Sequence, residues 1–112
     1  MHSKNLTLLT DLYELTMMQG YYDKQDNPTV IFDVFYRSNP FSSGYAIAAG
    51  LEQVIEYVKN LNVSYDDVDY LRSLHIFSED FLQYLSGYHF TGSIYAIPEL
   101  SLIHISEPTR LA

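Results

Sequence analysis

The chain has 112 residues, 47% of them hydrophobic and 15% aromatic, which suits one small globular domain and not a disordered segment. A net charge of -8 leaves no basic stripe to neutralise phosphates and argues against nucleic-acid binding, and six scattered bases offer no cationic membrane anchor. The absence of cysteine excludes disulfides, and no window reaches the roughly 18 apolar residues of a membrane span, so a cytoplasmic setting is expected.

At the start, Asp11 and Glu14 interrupt any apolar run of the signal-peptide kind. Thr10 is the expected N-cap of a first helix, with Asp11 and Glu14 placing negative charge in its first turn. Leu12, Leu15, Gln19 and Tyr22 follow helical spacing, with Leu8 one turn earlier. Gly20 and the polar run from Asp23 to Pro28 close the segment. Thr29 to Arg37 reads as a strand, and since both of its faces are largely apolar, it is expected to be covered on both sides.

Ser38 to Gly44 is a loop by composition. Leu51, Val54, Ile55, Val58 and Leu61 then mark an amphipathic helix. Ser64 with Asp67 predicts a capped helix carrying Val68, Leu71 and Leu74. Ser78 repeats the device, with Phe81, Leu82 and Leu85 facing inward and Gly87 ending the helix. Ser93 to Ile97 is a second strand. The order is helix, strand, three helices, strand: a mixed α/β (α+β) domain whose two strands are too few for a sheet that stands alone. Further sequence is therefore expected beyond this piece.

From Leu100 the chain reads LSLIHISEPTR, which resembles the translated transposon-end adapter of sequencing libraries. Residues 100–112 are accordingly expected to be non-native and are set apart from residues 1–99. The competing reading is an ordinary strand, since Leu100, Leu102, Ile103 and Ile105 have β character. Setting the tail aside removes one base and one acid, so the charge argument stands.

The chemistry carried by the residues alone is thin. No glycine-rich phosphate loop occurs, and His2, His75, His89 and His104 are not at ligand spacings, so no catalytic or metal residue is assigned. Asp66, Asp67 and Asp69 are better read as helix-start charges than as a cation site. Two features stand out. Asp11 and Tyr13 put a carboxylate and an aromatic ring in one turn, where a flat ligand could stack, although an ordinary capped helix would look the same. Arg37 ends an apolar strand beside a flexible loop, where it could hold a phosphate or pair with Asp33.

Four ordered segments, TDLYELTMMQGYY, FDVFYRSNPFSSGYAIAAGLEQVIEYV, YLRSLHIFSEDFLQYL and FTGSIYAIPE, resemble the start of bacterial nicotinate phosphoribosyltransferases across Leu8 to Glu99. The resemblance implies a partial amino-terminal domain of a type II phosphoribosyltransferase, with its barrel missing. It implies an enzyme that makes nicotinate mononucleotide from nicotinate and phosphoribosyl pyrophosphate in NAD salvage, with ATP and magnesium. It also implies a homodimer with a shared active site. On this resemblance Tyr13 matches the tyrosine that stacks on the pyridine ring, Asp11 its acidic neighbour, and Arg37 an arginine near the phosphates. The phosphorylated histidine of the family has no match here, so this piece is expected to be inactive alone. Ser42, Ser43 and Ala48 depart from the family's loop and put its conformation in doubt. The alternatives are a fragment of a nicotinamide phosphoribosyltransferase and a free-standing tyrosine-rich interaction domain.

Overall fold

The computed structural model describes residues 4–39, 41, 43–103 and 109–111, the last three by their backbone alone. Pro40, Ser42, His2 and His104 lie outside the described residues. The chain divides into two compact units, one of Met1–Pro28 with Asn60–Phe90 and one of Thr29–Lys59 with Thr91–Ala112.

The first unit is helical and holds the core. Its helices are α1 (Leu12–Asp23), α3 (Tyr65–Ser73) and α4 (Glu79–Ser86); the intervening α2 belongs to the other unit. Val63, Val68, Leu71, Phe81, Leu82 and Leu85 are buried, and Leu8, Leu15, Met18, Tyr22, Leu74 and Phe77 pack against them. Phe81 and Leu82 are fully covered. The inward faces expected for α3 and α4 are those observed, because each helix presents its apolar side chains at helical spacing to the other.

Helix ends follow from named side chains. Ser64 and Asp67 form the expected capping box, with the Ser64 oxygen accepting from the Asp67 amide at 3.1 Å and the Asp67 carboxylate accepting from the Ser64 amide at 2.9 Å. The Ser78 oxygen accepts from the Phe81 amide at 3.2 Å, and Gly87 is the C-cap of α4. At α1 the N-cap is Asp11, not Thr10, because the Thr10 hydroxyl is engaged by the Glu14 carboxylate. The helix also runs through Gly20. It stops three residues later in a Schellman turn: Gln25 takes a φ of 54°, its amide donates to the Tyr22 carbonyl, and the Asp26 amide donates to the Tyr21 carbonyl.

The second unit contains β1 (Phe32–Val34), β2 (Ala46–Ile47), α2 (Leu51–Lys59), β3 (Ile94–Tyr95), β4 (Leu102–Ile103) and β5 (Thr109–Leu111). One antiparallel sheet has the order β1-β5-β3, with Phe32 opposite Leu111 and Ile94 opposite the same residue; β2 and β4 form a second antiparallel pair. The strand expected over residues 29–37 is only three residues long, and it is exposed on both faces rather than covered. Its one described partner, β5, is itself three residues long, so the flanking residues have no ladder to join. The strand expected over 93–97 shortens to two residues for the same reason. Within the tail, β4 and β5 are both paired, while Ile105 lies outside the described residues.

Arg72 ties α3 to the start of α4, with its Nε 2.7 Å from the Glu79 carboxylate and its Nη1 on Asp69. The hydrogen bond from Arg72 holds the Glu79 carboxyl below its ordinary value of 4.5. A depressed carboxyl stabilises the fold above that value, and the contribution is lost as pH falls through the lower, folded value. Both side chains are exposed, so the effect is small. Glu79→Gln should therefore leave neutral stability almost unchanged and flatten its acid decline below about pH 4.5, read by urea melts across pH.

Candidate functional site

The residues that could meet a ligand stand on α1 and after β1, in different units. Asp11 and Tyr13 belong to the helical unit and Arg37 to the other.

Asp11 occupies the N-cap of α1 with extended backbone angles, φ -74° and ψ 141°, yet its side chain makes no capping hydrogen bond. A carboxylate in that position usually accepts from an amide one turn on. Here it stays exposed, with its acceptor lone pairs left to water or a ligand. Tyr13 follows two residues later and is 60% exposed. With Met17 and Tyr21 it forms an outward stripe at i, i+4 and i+8, all half-exposed or more. Leu12, expected to face inward, is 48% exposed on the outer side. Helix α1 is thus apolar on two faces. Leu15, Met18 and Tyr22 face the core, and the Tyr22 ring packs at a tilt on Phe81 and Tyr84 with ring centroids 5.8 and 4.9 Å apart.

Gln19, one of the residues at helical spacing, fixes α1 on its platform. The Gln19 amide nitrogen donates to the Ile76 carbonyl at 3.3 Å, and its oxygen accepts from the Ser78 amide at 2.7 Å. Both bonds go to the turn between α3 and α4, so Gln19 sets the register of α1 against it. A glutamine at an inward helical position was the available signal, and its spacing was read as core packing.

Arg37 is exposed in the bend after β1 and has no ion-pair partner among the described residues. The pairing with Asp33 that spacing allowed is not formed. Near it, the half-buried Tyr36 hydroxyl lies 2.9 Å from the Asn39 side-chain oxygen and 3.0 Å from the Ile103 carbonyl, fastening the chain before the loop.

The described residues also line cavities elsewhere. A cavity of about 330 Å³ in the second unit is lined by apolar residues including Val34, Leu51, Val54, Ile94 and Ile97, together with Glu99. The Glu99 carboxylate accepts from the Gly50 amide at 2.9 Å and the Glu52 amide at 3.4 Å, so it is engaged at the start of α2. A cavity of about 560 Å³ in the helical unit has Asn62, Tyr65, Arg72, Glu79 and Gln83 in its lining. Neither is lined by Asp11, Tyr13 or Arg37. Among the described residues no group of three or more acids and histidines could hold a metal, and no helix is long and apolar enough to cross a membrane. His75 is an exposed residue ending α3 in the left-handed region, φ 57°, which fits the reading of it as a surface group.

A family model described as the nicotinate phosphoribosyltransferase (NAPRTase) N-terminal domain matches residues 8–110. The chain is 42% identical over 101 residues to nicotinate phosphoribosyltransferase pncB2 of Mycobacterium tuberculosis, covering 90% of this chain and 22% of that protein. It is 42% identical over 105 residues to nicotinate phosphoribosyltransferase of Bacillus subtilis, covering 93% of this chain and 21% of the relative. To the Caenorhabditis elegans protein of the same name it is 34% identical over 116 residues, covering 93% and 20%. The chain thus spans about a fifth of the length of these curated relatives.

Gln19→Ala removes both bonds from the turn and leaves a solvent-accessible carbonyl and amide. The expected loss is about 1 kcal/mol per bond at most, read as a lower urea midpoint with an unchanged slope.

Proposed function

The chain belongs to the nicotinate phosphoribosyltransferase family, and from that premise we propose that it supplies the nicotinate-facing wall of the active site in a complete enzyme. That enzyme joins nicotinate to phosphoribosyl pyrophosphate, giving nicotinate mononucleotide in NAD salvage, with ATP hydrolysis coupled to the step. It works as a cytoplasmic homodimer that shares its sites between subunits. The observation that carries this reading is the first turn of α1, where an uncapped carboxylate and an exposed aromatic ring stand together on a helix locked from behind.

In the reaction the pyridine nitrogen attacks the anomeric carbon of the ribose. A carbon–nitrogen bond forms, the bond to pyrophosphate breaks with its electron pair, and the ring becomes a pyridinium. Tyr13 offers a flat face on which that ring stacks. Asp11, beside it, meets the positive charge as it develops, which favours the transition state over the neutral ring. Arg37, without a partner among the described residues, suits a phosphate oxygen, and a guanidinium binds one in a fixed fork. The described residues do not fit magnesium or ATP, since they hold neither an acidic cluster nor a phosphate loop, and no step is assigned to that pair. The reading assigns the rest of the pocket to other parts of the enzyme, since Asp11, Tyr13 and Arg37 make one wall only, and the 112-residue chain alone is expected to be inactive. The names of the relatives support nicotinate over nicotinamide and an enzyme over a free-standing interaction domain.

The segment from Leu100 on is, on this proposal, adapter-derived. The family match does run to residue 110, as a native continuation would give. The adapter reading rests instead on the eleven-residue resemblance and on Leu100, which takes a φ of 64° in a turn where glycine is the favoured residue. Resequencing the locus by an amplification-free method should give different codons after Glu99; recovery of the same run would overturn this.

Tyr13→Ala in the complete enzyme should raise the KM for nicotinate about tenfold, leaving that for phosphoribosyl pyrophosphate unchanged, while Tyr13→Phe keeps most of the affinity. Unaltered KM and kcat in the alanine variant would rule out the stacking role.

A further inference from the structure

The first turn of α1 is closed on itself, the Glu14 amide donating to the Asp11 carbonyl at 3.1 Å, but among the described residues none of its side chains bonds to another element. Asp11 makes no capping bond, Leu12 and Tyr13 are exposed, and the bond from Thr10 to Glu14 lies within the turn itself. Gln19 and the buried face of α1 act one to three turns further along. Besides Leu15, what fastens the start of the helix to the rest of the unit is the segment before it.

That segment is fastened to the start of α3. The Asn5 side-chain nitrogen donates to the Asp67 carboxylate at 2.9 Å and lies 3.3 Å from the Asn62 carbonyl. Its oxygen accepts from the Thr7 amide at 3.1 Å, and the Thr7 hydroxyl, with one proton to donate, lies 2.5 Å from that same oxygen and 2.8 Å from the Asn62 carbonyl. The Asp67 oxygen that Asn5 meets is the one already accepting from the Ser64 amide in the capping box. One charged acceptor thus ties the start of α3 to the arm that leads into α1, and a hydrogen bond to a charged group is stronger than one between neutral partners. Leu8 then packs on the core, and the Leu9 amide closes a turn on the Leu6 carbonyl at 2.9 Å. Three residues later comes Leu12, the first residue of α1.

We propose that Asn5 is a positioning residue, which through Asp67 and Asn62 sets where the first turn of α1 presents Asp11 and Tyr13 to the pyridine ring. The proposal rests on the nicotinate reading of Tyr13 for its consequence, but not for the latch itself. Asparagine is suited to the task because its amide donates to a carboxylate and accepts from a backbone amide at once. Alanine, serine or aspartate in its place cannot do both with that reach.

The latch is tested on the 112-residue chain by amide exchange, with no ligand present. Asn5→Ala should speed exchange at Leu9 and Glu14 about tenfold and leave Leu82, inside α4, unchanged; Thr7→Val should have a smaller effect in the same direction. The positioning role is tested in the complete enzyme, where Asn5→Ala should raise the KM for nicotinate several-fold with kcat unchanged. Unchanged exchange at Leu9 and Glu14 would overturn the latch. Faster exchange with an unaltered KM, in an enzyme where Tyr13→Ala does raise it, would overturn the positioning role. An enzyme in which Tyr13→Ala has no effect would overturn the nicotinate reading instead, and the exchange result would stand apart from it.

Discussion

The packing of α1 against Phe81 sets the conditions for the rest of the helical unit. Phe81 is fully buried and packs against Tyr22 of α1 and against Phe77, with ring centroids 5.8 Å apart in each pair. Once Leu15, Met18 and Tyr22 are committed to that side, Tyr13, Met17 and Tyr21 must point away from it, because a helix turns 3.6 residues per cycle. The exposure of Tyr13 is thus a consequence of core packing as much as of its own chemistry. Gln19 reinforces the choice with two bonds that only one axial register satisfies.

How far this was legible depends on the kind of signal. The helices α3 and α4 could be read almost residue by residue, because serine caps and 3.6-residue apolar spacing are local properties that tertiary contacts here reinforce. The mixed α/β class and the family were legible too. Helix α1 was read less well. It carries apolar side chains all round, so spacing could not say that Leu12 faces out, nor that the Thr10 hydroxyl would be spent on Glu14 and leave Asp11 as the cap. The strands were read too long and too deeply buried. Val, Ile and Phe report a preference for extended backbone, while strand length is decided by partners, and those of β1 and β3 amount to three residues of β5.

The proposed site rests on resemblance. Asp11, Tyr13 and Arg37 have no spacing that distinguishes them from an ordinary capped helix and an ordinary strand-end arginine. The structure adds physical content to two of them: Asp11 keeps its acceptors free of the helix, and Tyr13 shows an open face. The bonds of the residues that support them, Asn5 and Gln19, were invisible beforehand because they reach across 57 to 62 positions of sequence. Such bonds join parts of the chain that no local pattern connects.

The account stands or falls on the first turn of α1 facing nicotinate. A structure of the complete enzyme with nicotinate bound tests it most directly. It should show the pyridine ring offset-stacked on Tyr13, with centroids about 4.5–7 Å apart, and the Asp11 carboxylate at the ring's edge. A pyridine ring bound with no atom of this turn in contact would contradict the account.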